Sequence, residues 1–466
     1  MSESSEKAGK AWVLALASVA SCMVALDALA VTTALSTIRR DLDTSIETLE
    51  WTVNAYNLTF AVLLLTGMAI GDRFGRRRMF VCGLGLFTGA SAACALATAG
   101  WLIAGRAVQG AGAALVVPLA MALLSAAFPR QQRGRALGIF NGVTGMALIA
   151  GPIAGGAIAQ GIAWQWIFWI NLPIAAIVIP LAIRRVDESF GPNIALDFAG
   201  LALVTGSALG LVWGLMRGNA AGWNSLEVGG ALGAGTLLAA AFVAWELRAS
   251  APMVPMRFFQ SRAFASGIAA SFLFYASMYG VLFFLPQFLQ TAQGNGPLAA
   301  GLRLLPWTST LFVFAPIGGT LVNRIGERPL VVIGLAVQAL GMAWIGLAAA
   351  PDLYAALVLP LVLAGAGVSV AMPAAQNAVM SSVSASEVGK ASGIFNMSRY
   401  LGGVFGIALL VAAFTQAGGF GSARAFSAGF ALSIGVAAGL SLAGAIAGLA
   451  LPGREVVSAA PSKAKA

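Results

Sequence analysis

The sequence predicts an all-α integral membrane protein with fourteen transmembrane helices. They form two pseudo-symmetric six-helix bundles with two further helices inserted between them. Three observations carry this. The chain has 466 residues, 59% of them hydrophobic and only 9% charged, a profile that water-soluble domains do not have. Apolar runs of roughly 20 residues, enough to cross a bilayer as helix, recur almost without a break. The chain also repeats itself. At a shift of 255 residues Gly110, Gly112 and Pro118 fall on Gly365, Gly367 and Pro373, and Gly138, Ile139, Phe140 and Asn141 fall on Gly393, Ile394, Phe395 and Asn396. Such internal symmetry is what a duplicated helical bundle leaves in a sequence.

In chain order, the first run, roughly 12–35, is too long for a signal-peptide core and holds Asp27, so it reads as a retained span. An acidic loop comes next, with Asp41, Asp43, Glu47 and Glu50. The second run, roughly 51–71, carries Asn54 and Asn57 three apart on one helix face. A turn dense in charge, Asp72 to Arg78, separates it from the run at roughly 79–97. The fourth, roughly 102–128, includes Arg106 and Gln109; the fifth, roughly 136–160, is rich in glycine; the sixth covers roughly 166–183. The runs at roughly 197–216 and 228–247 have no counterpart in the repeat. They are the inserted pair, and adding two helices preserves the sidedness of the second bundle. The ninth, roughly 264–289, spaces Tyr275, Tyr279, Phe283 and Gln287 four apart. The tenth and eleventh, roughly 300–322 and 330–349, flank a degraded echo of the charged turn. The twelfth, roughly 354–380, ends with Gln376 and Asn377; the thirteenth, roughly 393–416, holds Arg399; the last covers roughly 426–450. This divides the chain into a first bundle (1–185), the inserted helices with their linkers (186–262), a second bundle (263–452) and a tail (453–466).

The net charge of +10 need not imply nucleic acid, because its distribution points to a membrane. Threaded from a cytoplasmic N-terminus, twenty of the 27 Lys and Arg fall in inside loops or tails and five outside; two, Arg106 and Arg399, fall within spans. That bias is the positive-inside pattern, with both termini cytoplasmic. The chain has no His, and its three Cys lie in apolar runs. Neither a His-dependent metal site nor a disulfide framework is indicated, and no cofactor is expected. Neither Gly-Lys pair is succeeded by Ser or Thr, so no Walker A loop is present. No nucleophile constellation suggests an enzyme.

Asp27 is the one acid in the middle of a predicted span. A carboxylate there costs several kcal/mol unless paired, hydrated or protonated. It is therefore a candidate proton-coupling site, with a static, paired acid as the alternative. Arg106 enters early in its helix, far from the positive side, which argues against simple snorkelling. It is a candidate for setting the charge state of a nearby acid; sequence alone does not decide whether it reaches Asp27. The repeat sharpens the point, since Arg106 corresponds to Leu361, Pro152 to Ile407, and Asp72 to Asn323 at a neighbouring shift. Gly151, Pro152, Gly155 and Gly156 permit close helix approach and a kink, with generic small-residue packing as the alternative. Cavity candidates are Asn54, Asn57, Gln109, Tyr275, Tyr279, Phe283, Gln287, Gln376, Asn377 and Arg399; for the aromatic stripe, ordinary packing is the competing reading.

Taken together, LDALAVTTAL, WTVNAYNLT, GDRFGRRR, LIAGRAVQGAGAA, RGRALGIF, AGPIAGG, WQWIFWINLP and FNMSRYLGGVFGIA resemble the fourteen-spanner drug:proton antiporters of the major facilitator superfamily. The resemblance covers nearly the full chain. It implies the major facilitator fold and export of amphipathic drugs or antibiotics, driven by protons across a bacterial cytoplasmic membrane, by a monomer that alternates access. It also implies that Gly71, Asp72, Arg73, Gly75 and Arg76 form a cytoplasmic latch between the bundles, and that Gly151, Pro152, Gly155 and Gly156 are the antiporter hinge. The chain departs from the pattern at Met68 and Ala147, where the family often has Gly. A proton-coupled importer on the same scaffold and a non-transporting membrane sensor are the alternatives. With no acid in the second-bundle spans, the expected substrate is a neutral, zwitterionic or monocationic amphiphile.

Overall fold

A computed structural model of the chain describes residues 3–191, 196–349, 354–384 and 387–453. Among these the structure is helical throughout, and fourteen helices are long and apolar enough to cross a membrane. They are α1 Gly9–Asp41, α2 Ile46–Phe74, α3 Arg76–Ala95, α4 Ala99–Ala127, α5 Arg135–Gly161, α6 Trp166–Arg185, α7 Phe198–Ala221, α8 Leu226–Glu246, α9 Arg262–Thr291, α10 Pro297–Val322, α11 Glu327–Leu347, α12 Ala355–Ser381, α13 Val388–Ala417 and α14 Ala423–Gly448. Every predicted span has its helix. Most helices run a few residues further than the apolar runs do.

The ends of the helices are set by local chemistry. Ser45, Asp197, Ser225, Ser261 and Ser422 cap α2, α7, α8, α9 and α14, each side chain accepting a bond from a first-turn amide, which satisfies a donor the helix itself leaves free. Three helices are interrupted. α5 breaks at Met146, between the stretches Arg130–Gly145 and Ala147–Gly161. α6 breaks at Ile170, and α10 at Leu304 and Ser309.

Helix packing repeats with a period of eight helices. The neighbours α1·α5, α1·α6, α2·α4, α3·α4 and α3·α6 recur as α9·α13, α9·α14, α10·α12, α11·α12 and α11·α14. The repeated glycines play the same part in both places. A methyl on Gly112 would lie 2.6 Å from the Phe87 amide nitrogen of α3, and one on Gly367 would lie 2.6 Å from the Gln338 amide nitrogen of α11. Only a residue without Cβ lets those backbones approach so closely. The two halves meet along α2·α13, α5·α10 and α1·α9, a set that maps onto itself under the same pseudo-symmetry. α7 packs on α8, α13 and α2. Its Asn219 donates to the Thr415 hydroxyl of α13 over 2.6 Å.

The loops fall into two groups that touch only their own kind in the contacts that define them. Arg76 N–H donates to the Ser189 carbonyl at 2.9 Å, and Arg257 pairs with Glu387; these mark the arginine-rich face. On the opposite face Trp164 Nε1 donates to Asp41 at 2.7 Å, and Leu298 N–H to Gln160 at 3.1 Å.

Glu50 departs from the sequence expectation. It is not in the outer loop but inside α2, fully buried. The apolar run begins at Trp51, but the Ser45 cap starts the helix before it, and the first turns of α2 are covered by protein.

Candidate functional site

Asp27 sits near the middle of α1 with no exposure to solvent, and it is paired. Arg106 Nη1 donates to Asp27 Oδ2 over 2.6 Å. The other carboxylate oxygen accepts two bonds, from Gln109 Nε2 at 3.0 Å and Asn171 Nδ2 at 2.8 Å. Three donors around one carboxylate satisfy the acceptors that burial takes away from water. The helices α1, α4 and α6 supply these groups. Gln109 lies three residues after Arg106, so both point from one face of α4.

Arg106 is held independently of Asp27. Its Nη1 also donates to Gln109 Oε1 at 2.7 Å, its Nε donates to the Thr52 carbonyl of α2 at 3.1 Å, and its guanidinium lies 4.2 Å from the centre of the Tyr56 ring. Asn171 is tied to Ser91 Oγ at 2.9 Å, and Ser91 donates to the Phe168 carbonyl at 2.8 Å. The network therefore joins α1, α2, α3, α4 and α6. Loss of the Asp27 contact would leave the arginine in place, still bonded to α2.

The site borders the seam between the halves. α5 lies against α1 within one turn of Asp27. A methyl on Gly151 would lie 2.7 Å from Leu29 Cβ, and Gly155 faces the Ala30 backbone. On its other side Gly156 faces the backbone of Pro297 and Leu298, and the Pro152 carbonyl faces Gly301 of α10. The glycine cluster thus closes α1, α5 and α10 together. The other stretch of α5, Arg130–Gly145, packs on α1 and α4, and methyl groups on Gly138, Gly142 or Gly145 would meet nothing within 4 Å. The contrast falls on either side of the break at Met146.

The charged turn is arranged differently from a direct latch between halves. Asp72 Oδ1 accepts from Arg76 Nε at 2.7 Å within the turn. Gly75, with φ +107°, ends α2 and starts α3 in a conformation that favours glycine. Its neighbour in space is Glu188, in the stretch after α6. The Glu188 carboxylate accepts the first amides of α3, Arg77 N–H at 2.8 Å and Arg78 N–H at 3.2 Å. Gly191 N–H donates to the Asp72 carbonyl at 3.0 Å. Gly71 packs on Leu119 of α4, and Arg73 lies over Phe74. So the bonds of this turn run within the first six helices and the stretch after α6. A cavity of about 310 Å³ separates Asp72 and Arg76 from Gly389 and Lys390 of the other half.

The cavity candidates do not all converge. Gln109 belongs to the Asp27 network. Asn54 is buried and donates to Glu50 Oε1 at 3.3 Å; Asn57 is buried on the same helix. Tyr275 and Tyr279 of α9 are brought to Arg399 and Tyr400 of α13. The Arg399 guanidinium lies 4.9 Å from the Tyr275 ring centre and 5.4 Å from that of Tyr400. Phe283 and Gln287 are fully buried further along α9, with Phe283 in the aromatic core against Phe284 and Gln287 donating to the Phe283 carbonyl. Gln376 and Asn377 do not join them. Both are exposed near the end of α12, and Asn377 donates to Glu327 of α11 at 2.7 Å. Adjacent helical positions that late in the span reach the arginine-rich face. Sequence reasoning misses Asn171, Ser91, Tyr56 and Glu188. A polar Asn opening an apolar run is the available signal for the first; Glu188 has none, since its partners lie more than 100 residues away.

The fold and this buried charge pair define a polytopic membrane transporter. The sequence matches the family model of the Major Facilitator Superfamily over residues 17–407 and 267–466, and the chain belongs to that superfamily. Among its relatives is the tetracenomycin C resistance and export protein of Streptomyces glaucescens, 34% identical, with 86% of this chain and 76% of that one aligned. The multidrug resistance protein Stp of Mycobacterium tuberculosis is 35% identical over 83% of this chain and 73% of its own length. Solved structures share the fold at low identity. A POT family transporter in complex with 5-aminolevulinic acid superposes with a TM-score of 0.70 at 15% identity, covering 92% of this chain and 94% of that one. The D-xylose–proton symporter gives 0.66 at 15% identity, over 93% and 96%.

Proposed function

We propose that the protein exports amphipathic drugs or antibiotics across a bacterial cytoplasmic membrane in exchange for protons, by alternating access, as a monomer with both termini in the cytoplasm. The observation that carries the proton-coupled reading is the position of the Asp27–Arg106 pair, buried and within one turn of the glycine contacts that join α1, α5 and α10. A proton on Asp27 removes the ion pair while Gln109, Thr52 and Tyr56 retain Arg106. The change in charge then acts on α1 at the place where it packs on the glycines of α5. Export as the direction is supported by the relatives, which are named for resistance and export. The glycine cluster of α5 serves as hinge and seal. The Asp72–Arg76 turn, braced by Glu188, governs opening on the arginine-rich face. The chain divides at about 185 and 262 into two bundles and the inserted α7–α8 pair, with a tail from 453 that lies almost wholly outside the described residues.

The test is efflux of ethidium from cells lacking their own pumps. Export that collapses with an uncoupler and in Asp27→Asn supports the mechanism. Uncoupler-sensitive export that survives Asp27→Asn removes Asp27 as the coupling group. Ethidium retained with or without the uncoupler argues against export of this class of cation.

A further inference from the structure

Arg399 is, with Arg106, one of the two arginines that fall within the spans read from the sequence, and its surroundings are the reverse of those of Arg106. It lies eleven residues into α13, about 17 Å along the helix, too far for its guanidinium to reach water at the helix end. Among the described residues it forms no ion pair. The spans α9, α10, α12, α13 and α14 contain no Asp or Glu. Glu387, which precedes α13, is taken by Arg257 and Ser384, and Glu327 by Asn377. The Arg399 Nε is buried without an acceptor. What surrounds the guanidinium is tyrosine: the faces of Tyr275 and Tyr400 and the hydroxyl of Tyr279, whose ring centre lies 6.3 Å from that of Tyr275 and 6.2 Å from that of Tyr400. Tyr400 in turn stacks against Phe60 of α2 at 4.2 Å, so the cluster spans the seam between the halves. Arg399, Tyr279 and Tyr400 are each only partly buried there.

A cation held within a span among tyrosines, with no acid beside it and one guanidinium donor unsatisfied, is poorly compensated. A planar guanidinium fork is suited to a carboxylate or another delocalised oxyanion, and flanking tyrosine faces suit a flat aromatic body. We infer that Arg399, with Tyr275, Tyr279 and Tyr400, is the recognition site for the acidic group of an anionic aromatic substrate. This rests on the transport reading for its meaning in the cell, and it departs from the cationic or neutral substrate expected from the absence of acids. That absence removes a site for cations; the arginine without an acid adds one for anions.

The test uses the purified full-length chain in detergent and equilibrium dialysis of two matched probes, 9-anthracenecarboxylate and its methyl ester. The acid is expected to bind at least about tenfold more tightly than the ester, as a charge-assisted bond would provide. In Arg399→Gln that ratio should fall to within about twofold, and Arg399→Lys, which keeps the charge without the fork, should restore only part of it. A wild-type ratio near one, no measurable binding of the acid, or a ratio unchanged in Arg399→Gln would each overturn the assignment. The wild-type comparison stands even where a variant fails to fold. Proteoliposomes carrying an imposed proton gradient separate this from the export reading. An acid preference in binding with no gradient-driven movement of either probe leaves the anion site standing and sinks proton-coupled export.

Discussion

α4 and α12 occupy equivalent places in the two halves and use the same glycines to approach their neighbours, yet they carry different chemistry. Gly112 and Gly367 admit the backbones of α3 and α11. Six residues before these glycines, the position that holds Arg106 in α4 holds Leu361 in α12, and both side chains are buried. Arg106 is matched by Asp27 of α1 and anchored to α2, whereas Leu361 lies in an apolar core. The scaffold is duplicated and the ion pair is not. A duplicated fold can keep one copy as framework while the other holds a charge that would destabilise both if repeated.

The contrast can be broken most directly by giving α4 the residue of α12. Arg106→Leu leaves Asp27 buried without its cation and should cost about 3–5 kcal/mol, read by reversible unfolding in mixed micelles. Adding Asp27→Leu should recover most of that loss, because an apolar pair has no charge left to compensate. Asp27→Asn comes next. It keeps the site's shape and much of its hydrogen bonding but removes the titrating group, so proton-driven efflux should fall by about a hundredfold, with a stability change below about 2 kcal/mol. A variant that pumps normally would separate the ion pair from transport. The shared framework should respond alike in both halves. Gly112→Val and Gly367→Val each overfill a helix contact and should lose about 1–3 kcal/mol; a large inequality between them would show that the two bundles are not equivalent in packing. The smallest effect is expected at Glu188→Gln. It weakens the cap on α3 by about 1 kcal/mol and should lower the thermal midpoint slightly; a change in efflux larger than this loss explains would assign the turn a gating role.

Much of this architecture is legible in the chain because bilayer crossing imposes a length and a polarity that composition must obey. Asp27 and Arg106 stand out for the same reason: charge in a span is costly, so its presence demands an account. Their contact is not legible, since 79 residues separate them and only the α1·α4 packing joins them. Hydropathy misplaces Glu50 because it locates the lipid, whereas the start of α2 is covered by protein. Polarity within an apolar run groups Gln376 and Asn377 with the cavity; the depth of a residue along its helix decides otherwise. The lack of acids in the second-half spans is legible, but its meaning depends on what faces Arg399.

The inserted pair carries a further consequence. Only 17% of the apolar stretch of α8 is covered by protein, against 72% for α9, and α8 packs on α7 with Gly229, Gly230 and Gly233 facing open space. A helix gripped along one side meets hydrocarbon over most of its surface, and any mismatch in length is met there within the limits that packing on α7 sets. The thickness of the bilayer therefore bears on α8 far more than on α9. The bond from Asn219 to Thr415 ties the inserted pair to α13, the helix on which Arg399 is mounted.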